Sequence, residues 1–364
     1  REETLVNEWG EPFAMVTQAL TEPERVEWVT ELVELHNGLG LRVLAQADVG
    51  PQLAATVLAA ADDRRERWMS YEWLSRTESS EDLISIVQSL VRAEGESTSF
   101  ADVARLDDLL REIGEGSSNE EATKIARQRD KLVELAFQRA KNRWQRNHPA
   151  EETQTATASL ERNFGRAIKA AFARCPVVGG PCFLEVAPGS FTMGSSPRDD
   201  MREEDEGPVH GVEISDSFWI ARTAVTCGQY DLLAVRPDFS TDLSNDHPVV
   251  GVTWYECAFF CRVASRAYGE ALNAESPVEI RLPREHEWEF AVRGRGRFQF
   301  DRPAPGGSEK GWLARYSIGD TEADLERIAH FGGVPLQPVA TLEPLLLNPG
   351  DPYGLYDMLG NQWE

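Results

Sequence analysis

The sequence predicts a multidomain chain: an all-α region followed by an irregular α+β domain of short strands and long connections. Three observations carry this. Proline is scarce over residues 1–147, where only Pro12, Pro23 and Pro51 occur. Apolar stripes at steps of three and four run through the same region. At Cys175-Pro-Val-Val-Gly-Gly-Pro-Cys182 the texture changes to frequent glycine, proline and aromatic residues. The expected organisation is a helical domain over 1–147, a linker with a short helix over 148–182, and the α+β domain over 183–364.

Helix starts recur in the first region. Thr21-Glu-Pro-Glu24 has capping-box spacing, with proline in the first turn, where its missing N–H costs nothing. Ser79-Ser-Glu-Asp82 and Ser99-Phe-Ala-Asp102 place acids where the helix dipole favours them. Val26, Val29, Leu32, Val33 and Leu35 form one stripe, and Leu83, Ile84, Val87, Leu90 and Val91 another. Each implies a helix that buries one face. Ile125, Leu132, Ala136, Ala140 and Trp144 predict the longest helix, over Asn119–Asn147, with Lys141, Arg143 and Arg146 at the end the dipole reserves for cations. The polar run from His148 to Ser159 reads as a linker, followed by a short helix over Leu160–Arg174.

Composition excludes several functions. The net charge is −24 and both halves are acidic, so neither nucleic acid nor an anionic membrane is an expected partner. The basic run Arg293-Gly-Arg-Gly-Arg297 reads as a solvated loop. No stretch is apolar enough for a transmembrane helix. The charged Arg1-Glu-Glu-Thr start shows no signal peptide. Five cysteines, Cys175, Cys182, Cys227, Cys257 and Cys261, are too few for a disulfide framework and point to a cytoplasmic protein. Cys257 and Cys261 share a helical face, where packing is the expected role. No phosphate-cradling loop and no internal repeat is present.

The second region carries an ordered series of motifs. Phe183-Leu-Glu-Val-Ala-Pro-Gly-Ser-Phe-Thr-Met-Gly194 reads as two strands about a Pro-Gly turn. Glu206-Gly-Pro-Val-His-Gly-Val212 follows, then Phe218-Trp-Ile-Ala-Arg-Thr-Ala-Val-Thr-Cys-Gly-Gln-Tyr230. His247-Pro-Val-Val-Gly-Val-Thr-Trp254 leads into a helix, with Thr253 and Glu256 at capping-box spacing. Arg281-Leu-Pro-Arg-Glu-His-Glu-Trp-Glu-Phe-Ala-Val-Arg-Gly294 places Pro283 at a helix start and Gly294 at its stop. Tyr353-Gly-Leu-Tyr-Asp-Met-Leu-Gly-Asn-Gln-Trp-Glu364 closes the series. Together these blocks resemble the formylglycine-generating enzyme, or sulfatase-modifying factor, family over residues 183–364. The resemblance implies that further family sequence follows Glu364.

It also implies a C-type-lectin-like fold, with Trp219, Trp254, Trp288 and Trp363 in its core. A family calcium site falls on Asp357, Gly360, Gln362 and Glu364, supplying the carboxylates and carbonyls a hard cation takes. A second family calcium site falls on Ala329-His330-Phe331, where His330 replaces asparagine, so that site is expected to be lost. The family oxidase binds copper with a cysteine pair downstream of the closing motif, so no catalytic residue carries over to this chain. Cys227 also stands where the family has asparagine. The leading expectation is a non-catalytic ligand- or protein-binding module on a helical adaptor. The alternative is a copper-dependent oxidase that converts a sulfatase cysteine to formylglycine.

Overall fold

The structure is a computed structural model. It describes residues 21, 24, 28, 99–115, 117–148, 156–195, 204–237, 242–293, 299–300, 312–313, 322–348 and 350–361. The two apolar stripes between Val26 and Val91, the Ser79 start, Trp363 and the site residues Gln362 and Glu364 lie outside the described residues.

The elements in chain order are helices α1 (Phe100–Glu115), α2 (Asn119–Asn147) and α3 (Ala156–Ala173), then strands β1 (Phe183–Val186), β2 (Gly189–Met193), β3 (His210–Ile214) and β4 (Phe218–Ala221). Helices α4 (Cys227–Leu233), α5 (Trp254–Leu272) and α6 (Glu285–Val292) follow. A short ladder of β5 (Gln299–Phe300) with β6 (Trp312–Leu313) precedes helix α7 (Glu322–Leu325). By packing, the chain divides into two compact units: Arg1–Ala140 with Thr253–Arg266, and Lys141–Val252 with Ala267–Glu364.

In the first unit, α1 opens where the sequence places it. The Ser99 backbone N–H and hydroxyl both donate to Asp102, and the Asp102 N–H donates back to Ser99 Oγ at 3.2 Å. Helix α2 has the bounds its stripe predicts, and Ile125, Leu132, Ala136 and Ala140 are buried. The first turns of α5 pack among these helices, with the rings of Phe100 and Phe259 5.3 Å apart. Buried Asp107 accepts a two-pronged bond from Arg129, at 3.1 and 3.0 Å, and a further bond from Arg262. Such a carboxylate is held in place because two guanidiniums replace its lost water.

In the second unit, β1 pairs antiparallel with β4, and β2 with β3. The core beneath them joins Val186, Phe191, Ile214, Ile220, Phe290, Ala291, Leu345, Leu347 and Leu355. Helix α3 starts at Ala156, inside the stretch read as linker, where alanines favour helix. Helix α4 is closed by a capping box between Thr226 and Gln229. At α6 the N-cap is Arg284, so Pro283 lies one residue before the cap. The arginine-rich motif there has a physical reading. Arg281 forks onto Glu287 at 2.7 and 2.6 Å, while Glu289 accepts from Arg293 and from the Gly194 N–H at the end of β2.

Two of the four expected core tryptophans are surface residues. Trp219 is 64% exposed and Trp254 56%. On β4 the alternation sends Ile220 inward, so Trp219 shares the outer face with its register partner Glu185. Trp254 is the first residue of α5, its ring edge-on to Tyr255 and under the Arg111 guanidinium. Trp288 is half-buried. The core volume comes instead from Phe191 and Phe290, whose rings lie 5.3 Å apart.

Candidate functional site

The closing motif is held by a two-way bridge between Leu345 and Leu355, with N–H to carbonyl distances of 2.7 and 2.9 Å. Gly354 is needed beside it: a Cβ there would meet the Leu345 carbonyl oxygen at 2.6 Å. The chain then turns sharply. Asp357 takes φ 58°, a conformation aspartate tolerates better than most residues, and the Gly360 N–H closes onto the Asp357 carbonyl at 3.3 Å. Asn361 locks the far side, donating to the Gln337 carbonyl and accepting the Gln337 N–H, each at 3.0 Å.

This turn carries Asp357 into the interior, where it is 7% exposed. Its Oδ2 accepts the Ala340 N–H at 2.7 Å. Its Oδ1 is sealed from solvent and has no hydrogen-bond partner. Burial pushes the carboxyl pKa up, opposed by the Ala340 N–H and by the nearby His330. A desolvated carboxylate with one empty oxygen is the arrangement a hard cation relieves. Gly360 lies so close to the His330 backbone that a Cβ would meet that carbonyl oxygen at 2.6 Å. The His330 ring turns instead to the Thr341 hydroxyl, 2.7 Å from Nε2.

Of the expected calcium set Asp357, Gly360, Gln362 and Glu364, the structure describes Asp357 and Gly360 and places them on one turn, with Asp357 Oδ1 left open. Among the described residues no group of three His, Cys, Asp or Glu side chains is gathered that could hold a metal ion.

The thiols are stored, not displayed. All five cysteines are free; Cys175, Cys182, Cys227 and Cys261 are buried and Cys257 is half-buried. Burial pushes Cys182 and Cys257 up to about 11 and Cys261 to about 12. Cys227 is also raised by burial, and its Sγ rests 3.6 Å from the Pro248 carbonyl oxygen. Thiols in this state are neither nucleophiles nor ready metal ligands.

Sequence reading missed Arg222. It lies just beyond β4, is 2% exposed, and donates to the carbonyls of Gly354, Gly179 and Pro181. The Tyr353 and Tyr356 rings flank it at 4.8 and 5.6 Å. No periodicity marks a buried arginine. The signal available was its position two residues after the buried Ile220 in a strand that ends there.

A loop-rich α+β domain built around a buried aspartate turn is the class this fold and site define. Residues 171–364 match the sulfatase-modifying factor enzyme 1-like domain, and the chain belongs to that family. Inactive C-alpha-formylglycine-generating enzyme 2 of Mus musculus is 33% identical over 121 residues, covering 32% of this chain and 30% of that protein. The serine/threonine-protein kinase pkn1 of Chlamydia caviae is 32% identical over 132 residues, 36% of this chain and 15% of the kinase. The formylglycine-generating enzyme of Thermomonospora curvata is 24% identical over 232 residues, 48% of this chain and 67% of the enzyme. The chain thus spans less than a third of the first two relatives. The solved structure of PvdO from Pseudomonas aeruginosa aligns over 48% of this chain and 66% of that one, with 22% identity and a TM-score of 0.34.

Proposed function

We propose that this chain is a non-catalytic protein-binding module of the sulfatase-modifying factor family, of C-type-lectin-like form, attached to a helical adaptor. The observation that carries this is a helical region built together with the family domain, where Arg262 of α5 pairs with Asp107 of α1 inside one packing unit. The thiols within this chain are free and four of them are raised by burial, which suits packing. A relative of 33% identity is described as an inactive enzyme, which agrees with this reading.

A calcium ion at Asp357, Gly360, Gln362 and Glu364 would serve structure, pinning the closing turn. The partner is a protein, since a chain of net charge −24 repels nucleic acid and anionic membrane. Among the described residues no helix is long and apolar enough to cross a membrane. Free thiols support a reducing, cytoplasmic compartment.

The second reading is a copper-dependent formylglycine-generating oxidase whose cysteine pair lies beyond Glu364. The match to 67% of the Thermomonospora curvata enzyme favours it. Copper(I) competition separates the two on the full-length protein. The module leaves a chromogenic copper(I) chelator in possession of the metal. Stoichiometric extraction of copper(I) by the protein would support the oxidase.

A further inference from the structure

The turn Pro176-Val-Val-Gly-Gly-Pro181 brings two guanidiniums to one peptide group. The turn is closed by the Arg174–Pro181 bridge and by the Cys175 N–H to the Gly180 carbonyl at 3.0 Å. Gly179 and Gly180 have φ of 66° and 72°, which side chains other than glycine rarely adopt. Arg222 Nη1 donates to the Gly179 carbonyl at 2.6 Å. On the other side, a Cβ built on Gly179 would meet Arg174 Nη2 at 3.6 Å and Nε at 3.9 Å. Tyr353 lies beside Arg222: its ring packs against Gly180, lies 4.8 Å from Arg222 Cζ, and is 38% exposed.

Neither charge is balanced. Arg222 donates to three carbonyls through Nε and Nη1, and Nη2 has no protein acceptor. Arg174 is exposed. Among the described residues no carboxylate pairs with either arginine, whereas Arg129 is paired with Asp107. A guanidinium at 2% exposure with no carboxylate partner carries a desolvation cost. An arriving anion relieves that cost.

We propose that Arg174, Arg222 and Tyr353 around the Gly179–Gly180 turn bind a carboxylate of a protein partner. The fork of exposed Arg174 matches a two-oxygen acceptor, Arg222 adds its remaining Nη2, and the tyrosine supplies an exposed aromatic wall. The chain charge of −24 selects a single-charged carboxylate over phosphate or polyanions. Only the protein origin of the carboxylate rests on the binding-module reading.

The test is a titration of the full chain followed by the arginine Nε–Hε resonances. Three probes are used: acetate, a blocked Gly-Glu-Gly peptide with only a side-chain carboxylate, and an acetylated Gly-Gly-Gly peptide with only a terminal one. Sodium chloride at matched ionic strength is the control. The Arg174 and Arg222 signals are expected to shift saturably with carboxylates and not with chloride. Tighter binding of one peptide than of acetate assigns the protein source to side chain or terminus. Arg174→Ala is expected to weaken binding about tenfold, as loss of one charge-assisted contact does. Its melting temperature is expected to stay unchanged, and Arg174→Lys to recover part of the affinity. Equal shifts with chloride, equal affinity in Arg174→Ala, or no saturable shift would each overturn the site. Because the probes are small, those results leave the binding-module reading standing. A sound titration with no captured protein would fault that reading alone.

Discussion

Arg262 on α5 and Asp107 on α1, 155 residues apart in sequence, form an ion pair inside one packing unit. Arg262 lies within the family-matched span and Asp107 outside it. Part of the family domain is thus built together with the preceding helices. Asp107 also holds Arg129. Asp107→Asn keeps the volume and removes the charge, leaving Arg129 without its carboxylate and Arg262 with Asp130 alone. Equilibrium urea unfolding is expected to show a loss of about 3 kcal/mol, as for a broken buried pair. A change within about 0.5 kcal/mol, typical of surface sites, would deny the lock.

Glu287 and Asp357 are expected to shift stability with pH in opposite directions. The Arg281 fork lowers the Glu287 pKa below its ordinary 4.5, against some desolvation. Its contribution is full above 4.5 and is lost as pH falls through the lowered folded value. Burial raises Asp357 above its ordinary 3.8. Its contribution is full below 3.8 and is lost as pH rises through the raised folded value. Melting temperatures of Glu287→Gln and Asp357→Asn, each subtracted from the wild type across this acid range, read the two signs. Slopes of the same sign would refute the assignment.

Calcium should reverse the neutral-pH cost of Asp357. The melting temperature of the full-length protein is expected to rise with calcium and fall with chelator, and Asp357→Asn to lose the response. An identical calcium response in Asp357→Asn would move the site elsewhere.

Gly360→Ala probes the same turn without touching charge. The new Cβ would sit 2.6 Å from the His330 carbonyl oxygen, a backbone atom that has little freedom to yield. A destabilisation of about 1–3 kcal/mol, in the range of overpacked sites, is expected in thermal unfolding. An unchanged melting temperature would mean the two segments are not in contact.

The thiols give a direct chemical readout. With pKa values near 11 for Cys182 and Cys257, about one thiol in a thousand is ionised at pH 8. Slow alkylation is expected in the native protein, with half-buried Cys257 first, and rapid labelling of all five in denaturant. Fast native labelling of Cys182 or Cys261 would show that the thiols are accessible.

Much of this was legible from residue pattern. The α2 stripe set its bounds, and the Pro-Gly turn separated β1 from β2, because helix and strand periods are written into local spacing. The exposure of Trp219 was not, because alternation distinguishes two faces of β4 without saying which one a second layer covers. Trp254 failed differently: a family position does not state what packs on the first turn of α5. Asp357 was found through its motif, yet the partner of its Oδ2, Ala340, lies 17 residues away in sequence. Arg222 was invisible because its acceptors come from two segments distant in sequence, the Gly179–Pro181 turn and Gly354.

The central claim is that this domain binds without oxidising. The direct measurement is mass spectrometry of a Cys-x-Pro-x-Arg peptide incubated with the full-length protein, copper and oxygen. The account predicts an intact thiol and no aldehyde. Conversion of the cysteine to formylglycine would contradict it.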